Sequence, residues 1–328
     1  MIRLEKLTKT FATPNGNIMA ADNIDMHVKK GEICVLLGAS GCGKTTTLKM
    51  VNRLIKPSSG KIFIDGKDVT QMDVVELRRR IGYVIQQIGL FPNMTVEENI
   101  SIVPRLLKWD KQRCKKRAQE LLELVALDPA TFLKRYPREL SGGQQQRVGV
   151  ARALAADPPV MLMDEPFGAI DPINRKAIQD EFLELQKKIG KTILLVSHDI
   201  DEALRMANKI AIFNHGKLAQ FDTPEALLAR PADEFVSDFL GGKSALKRMN
   251  LIRVSKVMRP AIAKPSGVNA EELPSLPASS TLADYAELLF KQSSTTFACL
   301  DEGGTVVGHV GLEDIHRYLN ESSRGLPC

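Results

Sequence analysis

Short runs of consecutive apolar residues alternate with stretches of helical periodicity along this chain. GEICVLLG, Gly31 to Gly38, reads as a buried strand bounded by glycines, and TTTLKMVNRL after it carries the spacing of a helix. KIFIDGKDV is a short strand and turn. VMLMDEP is a second buried strand ending in two acids, AIQDEFLELQKKIG is a helix closed by Gly190, and KTILLVSHD is a third buried strand. Strands apolar on both faces, alternating with helices, predict an α/β layer with a mainly parallel core. The N-terminal segment alternates weakly around Pro14, Asn15, Gly16 and Asn17, which predicts a hairpin and an antiparallel edge. Residues 95–155 are helix-rich, with LLKWDKQRCKKRAQELLELVAL as the longest amphipathic piece.

The pattern changes near residue 241. GGKSALKRMNLIRVSKVMRP, 241–260, holds six Lys or Arg and no acid, and reads as a basic linker. Pro260, Pro265, Pro274 and Pro277 follow, and 261–328 counts four basic against nine acidic residues. Basic stretch, proline-rich stretch and acidic tail mark a domain boundary. Within the tail, TLADYAELLFKQ is an amphipathic helix, TFACLDE-GG-TVVGHVG a hairpin across Gly303-Gly304, and LEDIHRYL a second helix.

Length and composition narrow the classes. The 328 residues, 44% hydrophobic and 26% charged, are enough for a sizeable core and exclude a disordered or fibrous chain. No apolar run approaches the roughly 18–20 residues of a membrane span, and MIRLEKLTKTF lacks a secretory core, so a cytoplasmic location is expected. The net charge of +6 permits nucleic acid, anionic membrane or a phosphate ligand as partner. Aromatic content of 5% is poor for stacking bases. Five cysteines without a CxxC pair predict reduced thiols rather than a disulfide framework or zinc site.

One motif decides between the partners. Gly38-Ala39-Ser40-Gly41-Cys42-Gly43-Lys44-Thr45 matches G-x-x-x-x-G-K-[ST] between a strand and a helix, and Thr46 continues into that helix. Glycines let backbone N–H groups curl round a phosphate without Cβ clashes. Lys44 supplies a point charge, the Thr45 hydroxyl a Mg²⁺ ligand, and the helix its positive end. Asp164 and Glu165 end the VMLM strand 120 residues after Lys44, where one acid can hold Mg²⁺ and the next polarise the attacking water. Cys42, at a helix N-terminus beside Lys44, has the surroundings that make a thiol reactive, whereas Cys34 reads as core.

A second anion site is written without a second lysine. Ser141-Gly142-Gly143-Gln144 opens the helix QQQRVGVARALAAD, with Ser141 as N-cap and two glycines exposing backbone N–H groups. Two such sites with only one Lys44–Thr45–Asp164 set suggest a two-fold dimer, each chain's Ser141 loop closing over its partner's γ-phosphate.

With LSGGQ followed by MLMDEP, the chain resembles an ATP-binding subunit of an ABC transporter over about residues 1–240. The resemblance implies a P-loop NTPase core with a helical subdomain, and ATP and Mg²⁺ as cofactors. It implies that Phe11 stacks on adenine and that Gln86 reaches Mg²⁺ and relays contact with membrane subunits; neighbouring Gln87 leaves a one-residue ambiguity. It further implies that Asp171 lies in the loop linking the two sites, and that His198 contacts the γ-phosphate.

Neighbouring classes fit less well. ABC proteins acting on DNA insert long coiled coils between phosphate loop and signature, but only 96 residues separate Lys44 from Leu140 here. A translation-factor type would carry two cassettes, and a silent regulator would lack motif acids that are present. IGLFPNMTVEENI resembles bacterial importers, whose groove beside the glutamine receives a helix of each permease subunit. The stretch from LELQKKIG to FVSDFLG resembles importers for glycine betaine, choline and carnitine; polyamine and amino-acid importers are the alternative. A membrane permease and, indirectly, an extracytoplasmic solute-binding protein are the implied partners, with no nucleic acid. The implied location is peripheral, on the cytoplasmic face of the cell membrane. The tail resembles a single CBS module, but Gly311 occupies the hydroxyl position three residues before Asp314. This favours a pairing role over nucleotide sensing. The basic stretch reads either as a solvated linker or as a contact for anionic lipid.

Overall fold

The computed structural model describes residues 1–14, 16–86, 89–168, 170–241, 244–261, 273–292 and 294–323. Asn15 of the expected hairpin, Gln87, Lys243, Pro265 and Cys328 lie outside the described residues. The chain divides into two compact units, Met1–Phe221 and Asp222–Cys328.

The first unit is built on a six-stranded sheet. Its order is Lys217–Asp222, Lys209–Asn214, Ile33–Gly38, Thr192–Val196, Val160–Asp164, Ile81–Val84. Every pairing from Lys209–Asn214 to Ile81–Val84 is parallel. The strands Ile33–Gly38, Val160–Asp164 and Thr192–Val196 are buried at every residue, which is why they read as unbroken apolar runs. The antiparallel edge is present: Ile2–Thr13 pairs with Gly16–Val28 and with Ser59–Ile64, which pairs with Lys67–Asp68.

Both sheets feed one core. Ile2, Leu4, Ile24 and Val28 join Leu36, Leu162, Leu194 and Phe213, together with Leu48 and Met50 of the helix Lys44–Val51. The helix that carries Lys44 and Thr45 is thereby clamped by burial rather than by its own propensity.

The helical region holds Val96–Leu106, Lys111–Leu124, Pro129–Phe132 and Gly142–Leu154. The amphipathic piece expected over 106–127 is not continuous. The first helix closes at Leu107, Lys108 takes φ 60°, and Asp110 caps the next helix by accepting from Arg113 N at 2.8 Å. Periodicity alone concealed the break, because each segment buries its own apolar side chains.

The second unit begins earlier than the sequence boundary near 240. Helices Pro224–Ala229 and Glu234–Phe239 sort with it, and Pro224–Ala229 packs on Ser244–Leu251. Nor is 241–260 an open linker. Ser244–Leu251 is helical, Arg248 is buried at 5% exposure, and Ile252 and Val254 are core residues. A four-stranded sheet follows, ordered Arg259–Pro260, Val306–Gly311, Thr296–Leu300, Ser275–Pro277, with helices Leu282–Lys291 and Leu312–Ser323. The expected order of helix, hairpin and helix is therefore present, around a core of Leu276, Leu282, Tyr285, Phe297, Val310 and Ile315. Glu225 ties this unit together, accepting from Lys256 Nζ at 2.9 Å and Tyr318 Oη at 2.7 Å.

Candidate functional site

The phosphate loop leaves the C-terminal end of the Ile33–Gly38 strand. Its backbone excludes side chains at two points. A Cβ on Gly38 would lie 2.4 Å from the Phe213 carbonyl oxygen, and one on Gly43 only 2.0 Å from that of Ala20. Gly43 also stands at φ 105° as N-cap, and no side chain caps the helix after it. The N–H groups of that first turn are thus left facing the loop, the arrangement that binds phosphate. Lys44 is buried at 5% exposure, and its ammonium donates to the carbonyls of Gly38 (2.7 Å) and Ala39 (2.8 Å), across the mouth of the loop.

Three parallel strands, Ile81–Val84, Val160–Asp164 and Thr192–Val196, bring the remaining groups to this end of the sheet. Asp164 ends Val160–Asp164, and its Oδ1 accepts from Thr45 Oγ1 at 2.9 Å. Burial raises the Asp164 carboxyl above the ordinary range, while the Thr45 hydrogen bond and the charges of Lys49 and Lys44 act against the rise. Glu165, at φ 47°, is held by its N–H on the Val196 carbonyl (3.0 Å). Its Oε2 accepts from Gln86 Nε2 at 2.9 Å and lies 3.3 Å from His198 Nδ1.

Ser40, Gly41, Cys42, Gly43, Lys44, Thr45, Thr46, Gln86, Glu165 and His198 line one cavity of about 390 Å³. The sequence reading names all ten. Ser141, Gly142, Gly143, Gln144 and Asp171 are brought together as well, but around a different cavity of about 710 Å³. Ser141 caps Gly142–Leu154 in a reciprocal box with Gln144, and Asp171 caps Pro172–Ile189 by accepting from Asn174 N at 3.0 Å. Phe11 lines neither cavity. It sits on the antiparallel edge opposite Ile18, with the Lys9 ammonium 4.8 Å from its ring centre.

Oxygen donors dominate the pair at Thr45 and Asp164, which suits a hard cation such as Mg²⁺. Among the described residues no group of three or more His, Cys, Asp or Glu could hold a metal.

The sequence reading missed the residues that brace His198. Ser197 is buried, and its Oγ accepts from Asp199 N at 3.0 Å; the buried Glu202 accepts from Gln179 Nε2 at 2.9 Å, and its N–H donates to Asp199 Oδ1 at 3.1 Å. Arg175 donates to the Ile170 carbonyl at 3.0 Å and stands 3.7 Å from Asp199. Only Asp199, an N-cap residue directly after His198, carries a local signal.

Comparisons with known proteins agree with this geometry. The ABC transporter family model matches residues 21–168. The osmoprotectant import ATP-binding protein OsmV of Salmonella typhimurium is 62% identical over 270 residues, covering 81% of this chain and 71% of that protein. The glycine betaine/carnitine/choline transport ATP-binding protein OpuCA of Bacillus subtilis is 47% identical over 324 residues, covering 98% of this chain and 81% of that protein. Among solved structures, the dimeric ATP-binding cassette MJ0796 in a post-hydrolysis state with ADP and phosphate is 34% identical. It aligns with a TM-score of 0.61 over 68% of this chain and 99% of its own. With the phosphate loop, the two strand-end acids and the LSGGQ helix in place, the chain belongs to the ABC transporter family, as an ATP-binding ATPase subunit.

Proposed function

We propose that this chain energises import of a small osmoprotectant, a quaternary amine such as glycine betaine, choline or carnitine, through a membrane permease carried on other chains. The observation that carries the reading is similarity over nearly the whole length, second unit included, to ATP-binding proteins of such importers. Among the described residues no helix is long and apolar enough to cross a membrane, so the chain would act at the membrane through its partners. The cytoplasmic face is where ATP is supplied.

The residues divide the work. The glycine-rich loop and the first turn of its helix bind phosphate oxygens, and Lys44 leaves its loop carbonyls for the β- and γ-phosphates. Thr45 and Asp164 would hold Mg²⁺, with Gln86 as a further oxygen donor; bound there, the ion neutralises charge on the transferring phosphoryl group. Glu165 accepts a proton from the attacking water, and His198 orients that water and the γ-phosphate. The Gln86 amide occupies Glu165 Oε2, which leaves Oε1 to accept the water. Phe11 would reach adenine from the edge sheet.

Ser141–Gln144 and Asp171 serve a second copy of the chain. They line their own cavity on this chain, so they complete a phosphate site only across a two-fold interface. The helix–hairpin–helix of the second unit is read as a single CBS-like module with a pairing role. The basic stretch does not favour lipid contact: Arg248 is buried, and Lys256 and Arg259 pair with Glu225 and Asp314 within their own unit.

Vesicles holding this chain with its permease and binding protein test the proposal. Labelled glycine betaine, choline or carnitine should accumulate with ATP and not with Glu165→Gln. Uptake of a polyamine or amino acid, with none of the methylammonium solutes, would overturn the substrate class.

A further inference from the structure

His198 reaches the cavity from a three-residue segment whose neighbours are both fixed to one helix, Pro172–Ile189. On one side, the buried Ser197 accepts from Asp199 N at 3.0 Å, and Asp199 Oδ1 holds the N–H of Glu202, whose carboxylate accepts from Gln179 of that helix at 2.9 Å. On the other side, Asp199 caps Ile200–Met206 through Oδ1 and turns Oδ2 toward the Arg175 guanidinium at 3.7 Å. The same guanidinium donates at 3.0 Å to the carbonyl of Ile170, the residue immediately before Asp171. The Arg175 N–H, in turn, holds the carbonyl of Asp171 itself at 3.0 Å.

We infer that Arg175 is a positioning residue that ties the Asp171 loop to the His198 segment within one chain. A side chain with two anchored ends moves both or neither. A shift of the Ile170–Asp171 backbone pulls the guanidinium, and the guanidinium pulls Asp199 and so the segment bearing His198. Arg175 Nε is buried and finds no partner among the described residues, so its fixation rests on the other two nitrogens. Engagement of Asp171 by a second copy is thereby converted into the position of a group beside Glu165, 3.3 Å away. Hydrolysis then depends on assembly even though Arg175 does not line the phosphate cavity.

This rests on the reading of Glu165 and His198 as the hydrolytic pair, and the experiment separates the two. Steady-state ATPase and nucleotide binding of the full chain are measured for His198→Ala, Arg175→Met, Arg175→Lys, Asp199→Asn and the Arg175→Met/Asp199→Asn double variant. His198→Ala tests the pair alone; full activity there removes the basis for the proposal. With that activity lost, Arg175→Met should lower kcat on the order of tenfold, with nucleotide affinity within about twofold of wild type. Arg175→Lys should recover part of the loss, and the double variant should be no slower than the slower single one. Unchanged kcat in Arg175→Met overturns the inference. So do multiplicative effects in the double variant, or a parallel loss of kcat, affinity and Tm that Arg175→Lys does not relieve.

Discussion

Thr45 Oγ1 donates to Asp164 Oδ1 over 2.9 Å, joining residues 119 apart in sequence. In the absence of a cation, this hydroxyl is a chief compensation for a carboxylate that burial disfavours. A carboxyl raised in the folded state favours folding at pH below its ordinary value and loses that contribution as pH rises through the folded value. At neutral pH, Asp164→Asn should therefore raise the Tm of metal-free protein. It should also remove most of the stabilisation by Mg-ATP, about 2.7 kcal/mol for wild type at a hundredfold excess over Kd. Thermal unfolding with and without Mg-ATP measures both. A lower metal-free Tm in the variant would show that Asp164 is better satisfied than its burial suggests.

In the proposed mechanism Glu165 acts on a water and does not bind the nucleotide. Glu165→Gln should lower kcat by about 10²–10⁴, the range of a lost general base, with nucleotide affinity retained. The trapped ATP state should also sediment or scatter light as a dimer. A monomer under those conditions would sink the shared-site reading of Ser141–Gln144.

Gly43 and Gly41 should respond differently to the same methyl group. Both have positive φ, 105° and 78°, but a Cβ on Gly43 meets the Ala20 carbonyl oxygen at 2.0 Å while one on Gly41 meets nothing within 4 Å. Gly41→Ala should cost about 1–3 kcal/mol from backbone strain alone. Gly43→Ala should cost more and abolish nucleotide binding, because two backbone segments must separate. Chemical denaturation and a nucleotide-binding titration distinguish them, and equal costs would refute the contact argument.

Cys42, though only 6% exposed, lines the phosphate cavity with its sulfur 3.7 Å from Lys44 Nζ, whereas Cys34 lines no part of that cavity, is fully buried, and has its thiol pushed far upward by that burial. Thiol alkylation should therefore block ATP hydrolysis through Cys42, Mg-ATP should protect, and Cys42→Ser should be resistant. Mass-spectrometric mapping that finds the inhibitory label on another cysteine would count against it.

The local motifs were readable because they act locally. A glycine at positive φ, a capping serine or a strand buried on both faces places its demand on a few adjacent residues, so Gly43, Ser141 and the Val160–Asp164 run could be identified one by one. The parallel order was foreseeable in kind, since only helices fit between such strands. What sequence could not supply were relations across the sheet. The meeting of Gln86, Glu165 and His198 depends on which strands are neighbours, and the break at Lys108 on where two helices find separate burial. The Arg175 brace spans elements with no shared periodicity, and the second unit claims Pro224–Ala229 through Glu225, Lys256 and Tyr318. Sequence by itself determined the chemistry available to this protein, because residue type and spacing set what a phosphate loop can bind. Tertiary structure alone decided which of those groups touch, because long-range packing and strand order bring together residues that the chain holds far apart.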